Sequence, residues 1–413
     1  MLHFFRTISA LPLVLLFMII AAGHEASKQY LTVQMLDSPA ASGSGEPNLY
    51  VSADGRVYLS WIERSGEDRH ALRFAVRSGT DWSDPHTIAE GTNWFVNWAD
   101  FPSLVALPDG TLVAHWLIKS SPLSPGYDIN ISRSTDRGKT WSKPTHPHHD
   151  GTKTEHGFVS MLPWRDGRVG AIWLDGRNFK EKATKGHDLS NEMTLRFATI
   201  DANSKVSEDV LLDPRVCDCC QTSAAITSEG PIVVYRDRSE KELRDISVVR
   251  FSKRGWTEPR TVNADGWEIH GCPVNGPSVS AEGKRVAVAW FTAAKDTPRV
   301  KVVFSRDAGE TFDQPIQVDE GSPVGRVDVL MLTDGSAMVS WLERTAKGGE
   351  VKVRRIRPNG SRDESITVAA SSAARASGFP QMAFTGNEII FAWTDPGTPS
   401  TVRTAVGRLE LEK

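Results

Sequence analysis

Three cysteines fall within four residues, Cys217-Asp-Cys219-Cys220, and a fourth follows a histidine in His270-Gly-Cys272. Thiolates and imidazoles ligate soft or borderline ions, so this density points to a shared centre for copper or zinc. Upstream histidines, His146-Pro-His148-His149-Asp150 and His156, could approach the same place. The metal reading takes Cys217, Cys219, Cys220, His270, Cys272 and His156 as ligands. Disulfides are the competing reading, because an even cysteine count in an oxidising compartment usually pairs. Two bonds from this set need either a vicinal Cys219–Cys220 bond with Cys217–Cys272, or a short loop from Cys217 plus one bridge to Cys272. The vicinal bond strains the backbone, and the short loop stabilises little. Free buried thiols are the third state, and all three stay open at this level.

A second set of side chains could handle an anion. Arg177, Arg236, Arg238 and Arg326 offer planar forks for a carboxylate or sulfate. Asp100, Asp175 and Asp237 are candidates for acid–base work. A solvated rim of weak surface ion pairs is the plain alternative.

These residues sit at fixed places in a repeat. A short strand, a Gly turn and an apolar strand closed by an aromatic recur, the aromatics being Trp61, Trp116, Trp173, Tyr235, Trp290, Trp341 and Trp393. They lie 51 to 62 residues apart, with turns such as Asp54-Gly55, Asp109-Gly110 and Asp334-Gly335 just before. A third strand follows each aromatic, and a fourth closes most units, as at His86–Ile88 or Ile316–Val318. Helical periodicity is missing outside the N-terminus. Units of this kind are the blades of an all-β propeller, each burying its faces against its neighbours. The count favours seven blades, with six the alternative. The seventh unit ends after its third strand, so the lone segment 30–36 is expected to supply the fourth and close the ring.

The stretch Ser134-Thr-Asp-Arg-Gly-Lys-Thr-Trp141 reads as a strand entering a tight turn, in which Asp136 can bind the turn's amides and Gly138 can take a positive φ. Ser305-Arg-Asp-Ala-Gly-Glu-Thr-Phe312 repeats Ser, Asp and Gly at Ser305, Asp307 and Gly309, with Phe312 for Trp141. Eroded copies stand at 77–82 and 252–256. This pattern resembles the Asp-box (BNR) repeat of the sialidase-like β-propellers. The resemblance implies the fold and a structural role for the turns. Sialidase catalysis, as the resemblance frames it, uses three arginines, a Tyr–Glu pair and an Asp acid. The first of those arginines opens the first blade, where this chain reads Glu46-Pro47-Asn48, so the catalytic pattern is not matched.

Blade geometry assigns the loops to two rims. Turns between third and fourth strands, including both Asp boxes, lie on one. Residues just after the aromatics and those leading into each first strand converge on the other. That second rim gathers the cysteines, histidines, arginines and aspartates named above, and loops from every blade meet there.

The 413 residues carry a net charge of −3 and a pI near 6.4, with no basic stripe to suit nucleic acid. Arg6 precedes an apolar run, Leu11 to Gly23, too short to span a bilayer comfortably and ending in small residues. A signal peptide over 1–23 and a single propeller over 24–413 are expected, exported to the periplasm or medium, monomeric and free of the membrane. The leading expectation is a propeller that binds a small ligand or a metal at the Cys/His-rich rim. The alternative is a glycan-processing enzyme, a divergent exo-sialidase or another glycosidase acting on an anionic sugar. A pure interaction scaffold is the third.

Overall fold

Residue 1 and residues 30–121, 126–179, 192–386 and 388–410 are described by the computed structural model; the expected signal peptide lies outside them. No helix among the described residues is long and apolar enough to cross a membrane.

Alternating apolar residues separated by Gly-containing turns give seven antiparallel sheets in a ring. The first blade is Ser44–Val51, Val57–Arg64, His70–Ser78 and His86–Gly91. Blade 2 holds Ser103–Ala106, Leu112–Lys119 and Tyr127–Ser134, its fourth position reduced to a bridge between Ile131 and Thr145. In blade 3 the order is His156–Pro163, Val169–Asp175, Met193–Ile200 and Val210–Val216. Blade 4 runs Ser223–Thr227, Gly230–Arg236, Ile246–Ser252 and Arg260–Asn263, and blade 5 runs Ser278–Glu282, Arg285–Thr292, Arg299–Ser305 and Ile316–Gln317. Blade 6 comprises Pro323–Met331, Ala337–Thr345, Gly348–Ile356 and Ile366–Ser371. Blade 7 takes Gln381–Thr385, Glu388–Asp395 and Thr401–Leu409, and Leu31–Leu36 pairs with Thr401–Leu409 as its fourth strand. The N-terminal strand thus closes the ring, as the missing strand of the last unit required.

The recurring aromatics are the wedges between blades. Trp61, Trp173, Tyr235, Trp290 and Trp341 are fully buried. A buried indole must still satisfy its N–H. Trp61, Trp173 and Trp341 donate to the acid two residues on, Glu63, Asp175 and Glu343. Trp290 donates to Asp265 at 2.6 Å, and the Tyr235 hydroxyl to Asp213 at 2.6 Å. Several of the charges that follow the aromatics are therefore anchors of the core.

Both Asp boxes have the same hydrogen bonds. Ser134 Oγ donates to Asp136 at 2.8 Å and accepts from Gly138 N, while Thr140 donates to Asp136 through its amide and its hydroxyl. Ser305, Asp307, Gly309 and Thr311 repeat this atom for atom. Gly138 has φ +84°, and a Cβ there would stand 2.3 Å from the Phe74 ring of the preceding blade. The turn is a packing device.

First strands line a central channel of about 270 Å³. One polar residue per blade forms a ring there: Asn48, Ser103, Ser160, Ser223, Ser278, Asp328 and Gln381. These side chains tie blade to blade. Ser278 Oγ donates to Asp328 at 2.8 Å, and Asp328 accepts from the Met382 amide at 2.7 Å. Burial raises the Asp328 carboxyl to about 6 despite those bonds.

Candidate functional site

The site is built on the rim away from the Asp boxes, where first strands begin and second strands end: His156 pairs with Asp175 there, and Ser44 with Glu63. Two side-chain clusters occupy it.

The first is made of thiols. Val216 bridges to Asp237, and the Cys217 amide donates to Arg236 O, so the chain leaving blade 3 is pinned to blade 4 as it turns. Within that turn Cys217, Cys219 and Cys220 bring their Sγ atoms within 4.8 Å of one another. Cys217 and Cys220 are 2.6 Å apart and buried. Cys272, on the loop entering blade 5, brings its thiol against Cys219. All four are free cysteines. Burial alone would raise the Cys217 thiol, but donation from Cys219 and Cys220 and the charge of Arg244 hold it well below the usual range. Arg244 is 1% exposed, donates to Glu242 at 2.7 Å, and leaves its Nη1 without a partner.

The second cluster belongs to blades 2 and 3. His156 Nε2 lies 3.1 Å from Asp150 and 3.8 Å from Asp175, while its Nδ1 lies 3.8 Å from Asp128. His148 stacks on it, ring centroids 3.9 Å apart and 4° from parallel. The Ile129 amide donates to His148 Nε2 at 3.3 Å, and His146 contacts the Ile129 carbonyl at 2.8 Å. Burial and the charge on His156 push His148 down to about 3. Burial also works against His156, but Asp150, Asp175 and Asp128 outweigh it and raise its pKa.

The residues singled out from sequence are placed as follows. The four cysteines come together. His156 joins carboxylates instead of thiols, and His270 is 72% exposed and paired with Glu268 at 3.4 Å. Arg177 clasps Asp175 through Nε and Nη2, both at 2.7 Å, and reaches Asp209 at 2.9 Å. Arg236 lies over Trp267 and donates to the carbonyls of Asn275, Arg244 and Phe291. Arg238 is shared between Glu242 and Asp218. Arg326 lies over Trp98 and donates to Ser377 at 2.6 Å and to the carbonyls of Ala374 and Gly378; burial and Arg375 bring it down to about 10. All four forks thus hold internal partners.

Among the acids, Asp100 is 3% exposed and accepts from the Phe158 amide at 2.7 Å. Burial lifts its carboxyl to about 7, against the Phe158 amide and the Tyr127 hydroxyl. Asp175 is held by Trp173 and Arg177. Asp237 accepts from Ser247 at 3.0 Å, and burial raises its pKa.

Sequence reasoning passed over Glu46, Asp128 and Arg244. Glu46 stands two residues before the channel residue Asn48, as Phe101 and Phe379 stand before Ser103 and Gln381, and burial lifts its carboxyl to about 7. The signal for it was the blade alignment: one residue per unit recurs two positions before the polar channel residue.

The ring of seven antiparallel sheets, with its two intact Asp-box turns, defines the fold as a seven-bladed β-propeller. No protein-family model matches the chain, and no curated protein matches it in sequence. Solved structures do match in fold. The polysaccharide lyase Uly1 is similar with a TM-score of 0.52 at 11% identity, over 89% of this chain and 90% of that one. An α-L-arabinofuranosidase from Fusarium graminearum, in complex with an iminosugar inhibitor, is similar with a TM-score of 0.50 at 14% identity, over 90% and 98%. The NanB sialidase from Streptococcus pneumoniae is similar with a TM-score of 0.47 at 10% identity, over 86% and 83%. At these identities the likeness is one of fold.

Proposed function

We propose that this is an exported β-propeller that binds a soft or borderline metal ion, Cu(I) or Zn²⁺, through Cys217, Cys219, Cys220 and Cys272. The observation that carries it is the convergence of four free thiols on one rim, three of them within 4.8 Å of one another. Thiolates are the species such ions bind, and Arg244 supplies a positive charge beside Cys217 that favours that form. The ligand set is narrower than the sequence suggested, since His270 and His156 have other surroundings. Metal content of the Cys217→Ser/Cys272→Ser double variant tests the reading. Loss of bound ion with an intact fold supports it. Retention by that variant of a full equivalent with thiolate-to-metal charge transfer, read after Co²⁺ substitution, sinks it.

A second reading, a glycan-processing enzyme on the same rim, is favoured by the channel mouth. Trp98 and Phe101 are only half-buried and pack on Phe379, Trp98 stacked and Phe101 tilted, each 5.9 Å between centroids, giving sugar rings an aromatic surface. Glu46, poised near neutrality, fits the acid–base role better than the enclosed Asp100. Turnover on a glycan panel should fall by roughly 10²–10⁴-fold in Glu46→Gln. Equal turnover by that variant excludes this role for Glu46.

A further inference from the structure

The carboxylate–imidazole cluster of blades 2 and 3 is separate from the thiols. We propose that Asp150, His156 and Asp175 form a second cation site, for a divalent ion of borderline hardness such as Zn²⁺ or Co²⁺, with Asp128 behind His156.

Ligand spacing comes first. Around a tetrahedral ion with bonds of about 2.0–2.1 Å, donor atoms stand about 3.3 Å apart. His156 Nε2 is 3.1 Å from Asp150 Oδ2 and 3.8 Å from Asp175 Oδ1, and the three donors lie within 4.8 Å of one another. Small side-chain shifts would admit an ion between them.

Independent of those contacts, His156 is 0% exposed yet its Nδ1 has no hydrogen-bond partner, although it faces Asp128 Oδ1 at 3.8 Å. An orphaned imidazole nitrogen in a core is costly. A metal-bound histidine usually gives its other N–H to a carboxylate, which fixes the ring. Asp128 stands where that partner belongs, and an ion on Nε2 would leave Nδ1–H free to donate to it.

Charge agrees. Asp128, Asp150, Asp175 and Asp209 face two guanidiniums, Arg177 and Arg196, leaving two negative charges uncompensated while His156 is neutral. One dication balances them. Access is provided by a groove lined by Pro147, His149, Asp150, Arg177 and Asp209. Asp175 is held in place by the Trp173 indole and by Arg177, so it would enter ligation already oriented.

Co²⁺ titration of the intact protein, followed by absorbance, distinguishes this site from the thiols. Thiolate ligation gives an intense sulfur-to-cobalt charge-transfer band; Asp/His ligation gives d–d bands alone. The expected result is one equivalent without charge transfer, surviving in Cys219→Ser and weakened at least about tenfold in Asp150→Asn. Asp128→Asn, which would touch no ion, should weaken the same equivalent by roughly 10–100-fold. A wild-type protein that takes up only thiolate-bound Co²⁺ overturns the proposal, whatever the variants do. So does a folded Asp150→Asn that binds as wild type. Loss of the charge-transfer equivalent alone counts against the thiol site and leaves this one standing.

Discussion

Arg236 donates to three carbonyls from three segments, those of Asn275, Arg244 and Phe291, and is 1% exposed over the Trp267 ring. Such an arginine is a post between blades 4 and 5. Its removal leaves buried acceptors without donors, at about 1–3 kcal/mol each. Arg236→Ala should therefore lose about 3 kcal/mol or more in denaturant titration, while the folded fraction keeps its metal. A variant of native stability that loses ligand binding would return Arg236 to the role of an anion clamp. The acids after the aromatics carry the same lesson. Trp61-Ile-Glu63, Trp173-Leu-Asp175 and Trp341-Leu-Glu343 share a spacing visible in the sequence, and in each the acid accepts from the indole. Reading that spacing as structural was open from the residues alone. The company Asp175 keeps was not, because His156 and Asp150 reach it from other segments of the chain.

The Asp-box turn is the element whose energetics are most directly testable. Hydrogen bonds from Thr140 and Ser134 hold Asp136 at about 2, and Thr311 and Ser305 overcome slight burial to hold Asp307 at about 2. Unfolded, such a carboxyl titrates near ~4. The folded value is the lower one, so both turns contribute stability that is complete above about pH 4 and drains away as pH falls through about 2. Thermal midpoints across this range should drop, and Asp307→Asn should flatten part of the slope; an unchanged slope would contradict the assignment. Gly138 offers a sharper probe. Positive φ and the Phe74 ring both oppose a side chain, so Gly138→Ala should cost roughly 2–3 kcal/mol, read as a shift of the denaturation midpoint. A neutral effect would mean that the turn does not press on the neighbouring blade.

At the scale of the whole ring, closure depends on a strand from the other end of the chain. Leu31 is fully buried in that strand, opposite Leu409. Leu31→Ala should cost about 2–5 kcal/mol by opening a cavity at the seam, measured by equilibrium unfolding. Seven units and this closure were legible because each blade is a run of hairpins whose turns and closing aromatics are local signals. Blade 2 hid its fourth strand, since a single bridge at Thr145 leaves no apolar run to read. The composition of the site was half legible. Cys217, Cys219 and Cys220 are adjacent in sequence, and Cys272 enters the next blade at the equivalent point, so ring geometry alone brings the thiols together. His270 sits two residues from Cys272, but the loop carries it out to solvent beside Glu268. Metal and thiol content of the full chain, purified without chelator or oxidant, tests the central claim most directly. The account predicts one bound equivalent of copper or zinc at the thiol cluster, released by chelation with four titratable thiols appearing afterwards. Four oxidised cysteines and no bound metal would contradict it.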